Sequence, residues 1–260
     1  KMQDANSSPE RPILSGRFPR LRGRAGRAIA LGLACVDYWL RPGLKAQYGG
    51  PFNDQWARAR LCEQLAALGG VNAVVETGTY RGTTTLFLAR LFGTAVHSVE
   101  IDPRYHWYAQ LRTRGVANVR LALGDSREFL RTLAREARVP RRGVFFYLDA
   151  HRPGNAPLQE ELDVICGNWQ QPLVMIDDFE VPGDPGYGFN DYGPGLRFGA
   201  ELLPVATQDY RRFYPATPSQ EETGYRRGCI LLAPPGAWAE RLRGISLVRE
   251  HDPSGGGGQA

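Results

Sequence analysis

The residues of this chain that could do chemistry are acids, and each closes an apolar run. Glu76 ends Val74-Val75-Glu76, Glu100 ends Val96-His97-Ser98-Val99-Glu100, Asp149 follows Phe145-Phe146-Tyr147-Leu148, and Asp177-Asp178 follow Val174-Met175-Ile176. Short continuous apolar runs are what parallel strands covered on both faces require. Such strands deliver their carboxyl-end residues to one edge of the sheet, where open α/β sheets bind ligands. After Glu76 comes Thr77-Gly78-Thr79-Tyr80-Arg81-Gly82, a glycine-punctuated turn that opens a helix-like segment. Gly78 and Gly82 permit a tight turn and close backbone approach to a ligand. Their spacing, G-x-x-x-G, lacks the third glycine of the pyrophosphate-binding G-x-G-x-x-G. The turn therefore suits a nucleoside ligand without a pyrophosphate. Glu100, at the tip of the next strand, is placed to accept both hydroxyls of a ribose.

A nucleoside cofactor without phosphates points to S-adenosylmethionine (SAM). Over roughly residues 50–235 the chain resembles the class I SAM-dependent methyltransferases, in particular their small-molecule O-methyltransferase branch of catechol-type and natural-product enzymes. That resemblance implies an α/β fold with a doubly wound, mostly parallel, seven-stranded Rossmann-like sheet. It implies that Glu76, Gly78, Thr79 and Gly82 form the first cofactor loop, with Tyr80 and Thr84 near the methionine moiety. Glu100 and Ile101 would hold the ribose, and Asp125-Ser126 would flank the adenine.

Methyl transfer from a sulfonium is an in-line displacement, and an oxygen nucleophile must lose its proton on the way. Asp149, Asp177 and Asp178 stand at the ends of neighbouring strands and can converge. Three carboxylates packed together repel unless a cation sits among them. A hard ion such as Mg²⁺ takes oxygen ligands of this kind and lowers the pKa of a bound hydroxyl. Metal-dependent catechol-type enzymes, which the chain resembles, place acids at these two strand ends. Two departures stand out: Asp177-Asp178 replaces an Asp-Asn pair, and Arg152 stands where those enzymes carry a lysine. Arginine is too basic to abstract a proton, which leaves His151 as the candidate base, with Asp149 and Asp177 beside it as catalytic acids. Without a metal, Asp149 contacts the methionine ammonium or orients the acceptor, and Asp178 caps the following turn.

The segment 181–195 follows these acids and is rich in Gly and Pro, yet carries Tyr187, Phe189 and Tyr192. It is expected to form a lid with aromatic walls over a small-molecule acceptor, or else an ordered loop packed on the core. The resulting expectation is O-methylation of a small hydroxylated molecule, sugar-containing or phenolic. Two alternatives stay open. One is a metal-dependent hydroxylase of a natural-product precursor on the same fold, because a fold does not fix chemistry. The other is a non-enzymatic nucleic-acid-binding module that uses the basic N-terminal arm.

The elements that must position these residues alternate. Strands are expected over 72–76, 95–100, 118–122, 143–149 and 172–177, with helices over 82–92, 103–114, 126–137 and 157–168 between them. Helices over 24–40 and from a cap at Asn53 or Asp54 to Ala67 precede the sheet; a helix near 196–203 and strands over 208–213 and 228–233 close it. The division is a basic extension over 1–50, a catalytic domain over 51–250 and a flexible tail over 251–260. Residues 1–45 carry nine Lys/Arg against three Asp/Glu, a net of +6 out of a total of +5, so the rest of the chain is close to neutral. A near-neutral body implies no continuous basic surface for nucleic acid. The basic arm could touch anionic head groups weakly, or pack as a helix held down by Tyr38, Trp39 and Leu40. Edge strands and N-terminal helices leave room for a homodimer. Cys35, Cys62, Cys166 and Cys229 form no C-x-x-C pair, which points to free thiols in a reducing cytoplasm, and no stretch reaches the ~20 apolar residues of a membrane span.

Overall fold

The computed structural model describes residues 23–251. The chain begins with α1 (Arg24–Leu40), a 3₁₀ turn at Pro42–Lys45, a second at Pro51–Asp54, and α2 (Trp56–Leu68). Strand and helix then alternate through β1 (Ala73–Thr77), α3 (Thr83–Phe92), β2 (Ala95–Glu100), α4 (Pro103–Arg112), β3 (Val119–Leu123), α5 (Ser126–Leu133), β4 (Val144–Leu148), α6 (Leu158–Asn168) and β5 (Leu173–Asp177). After a long irregular segment come β6 (Arg211–Pro215), β7 (Cys229–Ala233), α7 (Ala237–Arg243) and β8 (Val248–His251).

Among the described residues one sheet contains all the strands, in the order β3-β2-β1-β4-β5-β7-β6-β8. The first five are parallel, and β7 runs antiparallel to both β5 and β6. The doubly wound architecture is as expected, but the sheet has eight strands where seven were anticipated. The extra strand, β8, pairs antiparallel with the outer edge of β6. Its Val248-Arg249-Glu250-His251 holds a single aliphatic residue, so no alternation announces it. The helix anticipated near 196–203 is only a 3₁₀ turn at Ala200–Leu202.

Strand periodicity divides the core in two. Val75, Phe146, Leu148 and Ile176 face α5 and α6, through Leu130, Leu162 and Ile165. Val74, Phe145, Tyr147 and Met175 face α2, α3 and α7, through Leu61, Leu65, Leu88 and Trp238. The side chains at 76, 147 and 177 share the second parity, so Glu76 and Asp177 belong to the α2–α3 side.

Neither Asn53 nor Asp54 caps α2. Both lie in the left-handed region with Phe52 (φ 59°, 64° and 53°), and Gln55 precedes the helix without a side-chain cap. Three consecutive non-glycine residues in that region cost about 1–2 kcal/mol each. The surroundings hold them there. Phe52 is buried against Phe87 and Tyr147, with ring centroids at 5.6 and 5.2 Å. The Asn53 carbonyl accepts from the Tyr225 N–H at 3.1 Å, and the Asp54 carbonyl from the Thr223 hydroxyl at 2.6 Å.

α1 packs on α4 through the buried Ala30, Ala34 and Asp37, and through Tyr38, whose ring meets that of the buried Tyr108 edge-on at 5.4 Å. Trp39 is 66% exposed and Leu40 74%, so they do not hold the helix down. The four cysteines are free. Among the described residues, no helix is long and apolar enough to cross a membrane. The expected flexible tail and most of the basic arm lie outside the described residues.

Candidate functional site

The glycine turn between β1 and α3 rests on β2 and β4. The N–H groups of Gly78 and Thr79 donate to the Val99 carbonyl at 3.0 and 3.1 Å, and the Asp149 N–H donates to the Thr77 carbonyl at 2.9 Å. Gly78 has φ 89°, and a Cβ there would collide with the Asp149 carbonyl, so the strand ends close into a floor that only glycine permits. Gly82 (φ 72°) serves a different end: a Cβ would press on Ala109, so this glycine lets α3 approach α4.

Above that floor opens a small cleft, with a cavity volume of about 60 Å³. Gly78, Thr79, Tyr80, Thr84 and Asp149 line it from the sheet side, and Leu44, Gln47, Tyr48 and Asn53 from the N-terminal segment. The left-handed turn at Phe52–Asp54 thus presents Asn53 to the cleft.

Other expected cofactor residues lie outside this lining. Glu76 is buried under the turn, where its carboxylate accepts from the Ser98 hydroxyl at 2.6 Å and from the Thr85 hydroxyl. Burial pushes its carboxyl up to about 7, against the pull of those two hydrogen bonds. Thr79 joins the same network through Ser98 at 2.5 Å. Glu76 therefore braces the loop from beneath. Glu100 is also buried, and its two oxygens accept the Tyr80 N–H at 2.7 Å and the Asp102 N–H at 2.8 Å. Burial raises it to about 7 as well, opposed by these backbone donors. Tyr80 (φ 49°) stands directly above Glu100, its ring 4.5 Å from that of Tyr105. Ile101 is 40% exposed beyond the strand tip. Asp125 caps α5, accepting the Arg127 N–H at 2.9 Å and pairing with its guanidinium at 2.7 Å, while Ser126 is buried in the first turn. The bond from Arg127 holds the Asp125 carboxyl below its usual range.

At the end of β5 the two acids part. Asp177 is 1% exposed and ion-pairs with Arg58 of α2, while its second oxygen accepts the Tyr147 hydroxyl at 2.7 Å. Its Oδ1 also accepts the Asp178 N–H at 2.8 Å. Asp177 is thus removed from the expected catalytic and metal set, because an internal guanidinium already balances its charge. Asp178, in the left-handed region at φ 55°, swings the opposite way. Its carboxylate meets His151 Nε2 at 3.1 Å, the Asn190 amide at 2.8 Å and the Arg227 guanidinium at 2.5 Å. Burial alone would raise the Asp178 carboxyl, but His151 and Arg227 hold it far below the usual carboxylate range. Arg227 also donates to the Asn190 side-chain oxygen Oδ1 at 2.6 Å. His151 lies between the acids, with Nε2 3.6 Å from Asp149, and stacks on Phe198 at 4.5 Å. Its side chain is 5% exposed, whereas that of Asp149 is 33% exposed.

The structure brings Asp149, His151 and Asp178 together, with one ligand atom from each within 4.8 Å of the others. This set does not suit Mg²⁺ as expected from the sequence. A hard ion calls for oxygen donors, and here one of three is a ring nitrogen and another belongs to an acid already compensated by Arg227.

The irregular segment is anchored, not poised as a flap. The Asn190 N–H bonds the Asp178 carbonyl at 2.9 Å, and Gly188 and Gly228 exchange bonds with the Arg226 and Gly188 carbonyls. Tyr187 is no lid wall: it is buried in the core and its hydroxyl donates to the Thr217 carbonyl at 2.9 Å. Phe189 lies half-buried under the Arg197 guanidinium, and Tyr192 packs edge-on to Phe198.

Sequence reasoning missed Arg58, Arg227 and Asn190. A signal for Arg58 was present: positions 58, 61, 62 and 65 form the buried stripe of α2, and a cation on such a stripe needs an acid. Arg227 and Asn190 sit in irregular chain and leave no comparable trace.

No protein-family model matches the chain, and no curated protein matches it. Solved structures do share its fold. An O-methyltransferase from Bacillus cereus, in complex with SAH, is 15% identical, aligns over 84% of this chain and 93% of its own, and has a TM-score of 0.52. TomG, an O-methyltransferase from Streptomyces achromogenes involved in tomaymycin synthesis and solved with SAM, is 17% identical over 85% of this chain and 100% of its own, with a TM-score of 0.53. The chain shares the fold of these two O-methyltransferases. At such identities the likeness is one of fold, and the chemistry rests on the site.

Proposed function

We propose that this chain is a SAM-dependent methyltransferase that acts on a hydroxyl group of a small acceptor. The observation that carries the reading is the glycine-floored cleft at the β1–β4 edge, which runs up to Asp149 beside the His151–Asp178 pair. The cofactor supplies an electrophilic methyl group on a sulfonium. The Gly78–Thr79 backbone and the Asp149 carboxylate would hold its methionine end, and Glu100 its ribose. Gly78 supports the fit indirectly: a Cβ there would collide with the Asp149 backbone, so only glycine lets the β1 and β4 ends close into this floor.

His151 is the base. Asp178 holds the ring through Nε2, and the imidazole takes the acceptor's proton. Asp178 fixes the ring and offsets the charge of the imidazolium. Arg227 and Asn190 in turn fix Asp178. The near-neutral body supports a small molecule over nucleic acid, and the free thiols support a reducing, cytoplasmic setting.

His151→Gln tests the base. It should spare SAM affinity while reducing turnover by about 10²–10⁴-fold; full turnover in that variant removes His151 from the reaction. One observation favours a second reading, metal-dependent hydroxylation: the Asp149–His151–Asp178 cluster could hold an ion of mixed oxygen and nitrogen preference. Elemental analysis for iron together with oxygen consumption separates the two.

A further inference from the structure

α1 is built inside out. Its buried face is made of small residues, Gly26, Ala30 and Ala34, with Asp37, while most of its larger apolar side chains point to solvent; Leu33 and Tyr38 are half-buried. Ile29 is 52% exposed, Leu31 39%, Val36 42%, Trp39 66% and Leu40 74%. Between Arg27 and Arg41 the helix carries one charge, Asp37, which is buried and neutralised by Arg104 at 2.5 Å and Arg41 at 3.3 Å. The face that solvent meets is therefore apolar along a helix about 25 Å long. A contiguous exposed patch of this kind marks an interaction surface.

Charge selects the partner. Arg27 flanks the patch at one end, and Arg41 and Lys45 at the other, with Lys45 Nζ 3.9 Å over the Tyr38 ring. The preceding sequence adds Lys1, Arg11, Arg17, Arg20 and Arg22 against Asp4 and Glu10. A second copy is disfavoured: two-fold pairing of α1 would set Arg27 of one chain beside Arg41 of the other, and this face offers no acid to balance them. An apolar strip with basic ends and an exposed tryptophan matches an anionic bilayer surface, where such helices lie in the plane of the head groups.

We infer that α1 is a membrane-surface anchor, which seats Ile29, Leu31, Val36, Trp39 and Leu40 among the acyl chains of an anionic phospholipid leaflet with its arginines on the head groups. The inference does not depend on methyl transfer. Leu44, Gln47 and Tyr48 of the cleft follow α1 by only a few residues, so anchor and cleft share one end of the molecule.

The test is co-sedimentation of the full chain with vesicles of phosphatidylcholine alone and of phosphatidylcholine mixed with phosphatidylserine. Binding is expected to the mixed vesicles, weakened by salt, and to fall at least about tenfold in an Ile29→Ser/Val36→Ser/Leu40→Ser variant that withdraws apolar area from the lipid. Because these side chains face solvent, the variant should keep the wild-type circular dichroism and melting midpoint. A parallel reading comes from fluorescence: mixed vesicles should shift the wild-type emission to the blue, and Trp39→Phe should abolish that shift. Wild-type protein that ignores mixed vesicles, or binding that survives the triple substitution, overturns the inference. So does a concentration-dependent dimer, seen by sedimentation, that the same substitution dissolves.

Discussion

Removing the Arg58 guanidinium is the perturbation that best separates an internal counter-ion from a metal ligand at Asp177. In Arg58→Met, Asp177 stays 1% exposed and keeps only neutral donors, the Tyr147 hydroxyl at 2.7 Å and the Asp178 N–H at 2.8 Å. Breaking a buried pair from one side costs about 3–5 kcal/mol, because the remaining charge is left uncompensated. Asp177→Asn strands the guanidinium instead, with the Arg227 carbonyl as its remaining acceptor, and should cost a similar amount. The double variant removes both charges, so its loss should fall short of the sum by about 1–3 kcal/mol. Urea unfolding at neutral pH in metal-free buffer measures all three, provided the slope stays constant across the set. A metal-ligand role predicts the reverse pattern: Asp177→Asn would leave stability without metal untouched and act only on turnover. An Arg58→Met cost below about 1 kcal/mol would refute the reasoning that this pair balances charge beneath the site.

Two further outcomes follow from the residues placed under and beside the cleft. Burial raises Glu76 to about 7, so the folded state keeps a proton that the unfolded chain releases near 4.5. Stability should therefore fall as pH rises between those values and level off above, and Glu76→Gln should remove about 3 kcal/mol of that fall; denaturation curves at about pH 5 and about pH 8 decide it, and an unchanged pH dependence counts against the buried carboxyl. Asp125→Ala should cost about 1 kcal/mol through loss of the α5 cap while sparing SAM affinity. A large loss of affinity instead would put Asp125 on the adenine, as the family resemblance implies.

The sheet was legible because its signals are local. Val144–Leu148 is apolar throughout, Gly93 follows α3 in the left-handed conformation, and Asp102 and Asp125 cap the helices they precede. Where such signals are thin the sequence misleads. Val248–His251 carries too little apolar periodicity to announce an edge strand, and Asn53 and Asp54 have the chemistry of caps but are held in left-handed geometry by contacts with the chain around residue 224. The acids at the strand tips could be placed from sequence, yet their partners could not. Whether Asp177 meets a metal or Arg58 depends on how α2 lies on the sheet, which is a tertiary fact. In irregular chain no period tells inside from outside, so Tyr187, Phe189 and Tyr192 looked alike although Tyr187 belongs to the core. In α1 the residues Tyr38, Trp39 and Leu40 suggested packing, but only Tyr38 meets α4, and the rest of that contact is made by small residues.

Calorimetric titration with SAM tests the central claim most directly, on wild type, Asp149→Ala and Glu100→Ala. The cleft assignment predicts one site in the wild type and a loss of about 1–3 kcal/mol in each variant, through its missing charge-assisted hydrogen bonds. No binding by the folded wild type, or an affinity that neither substitution changes, contradicts it.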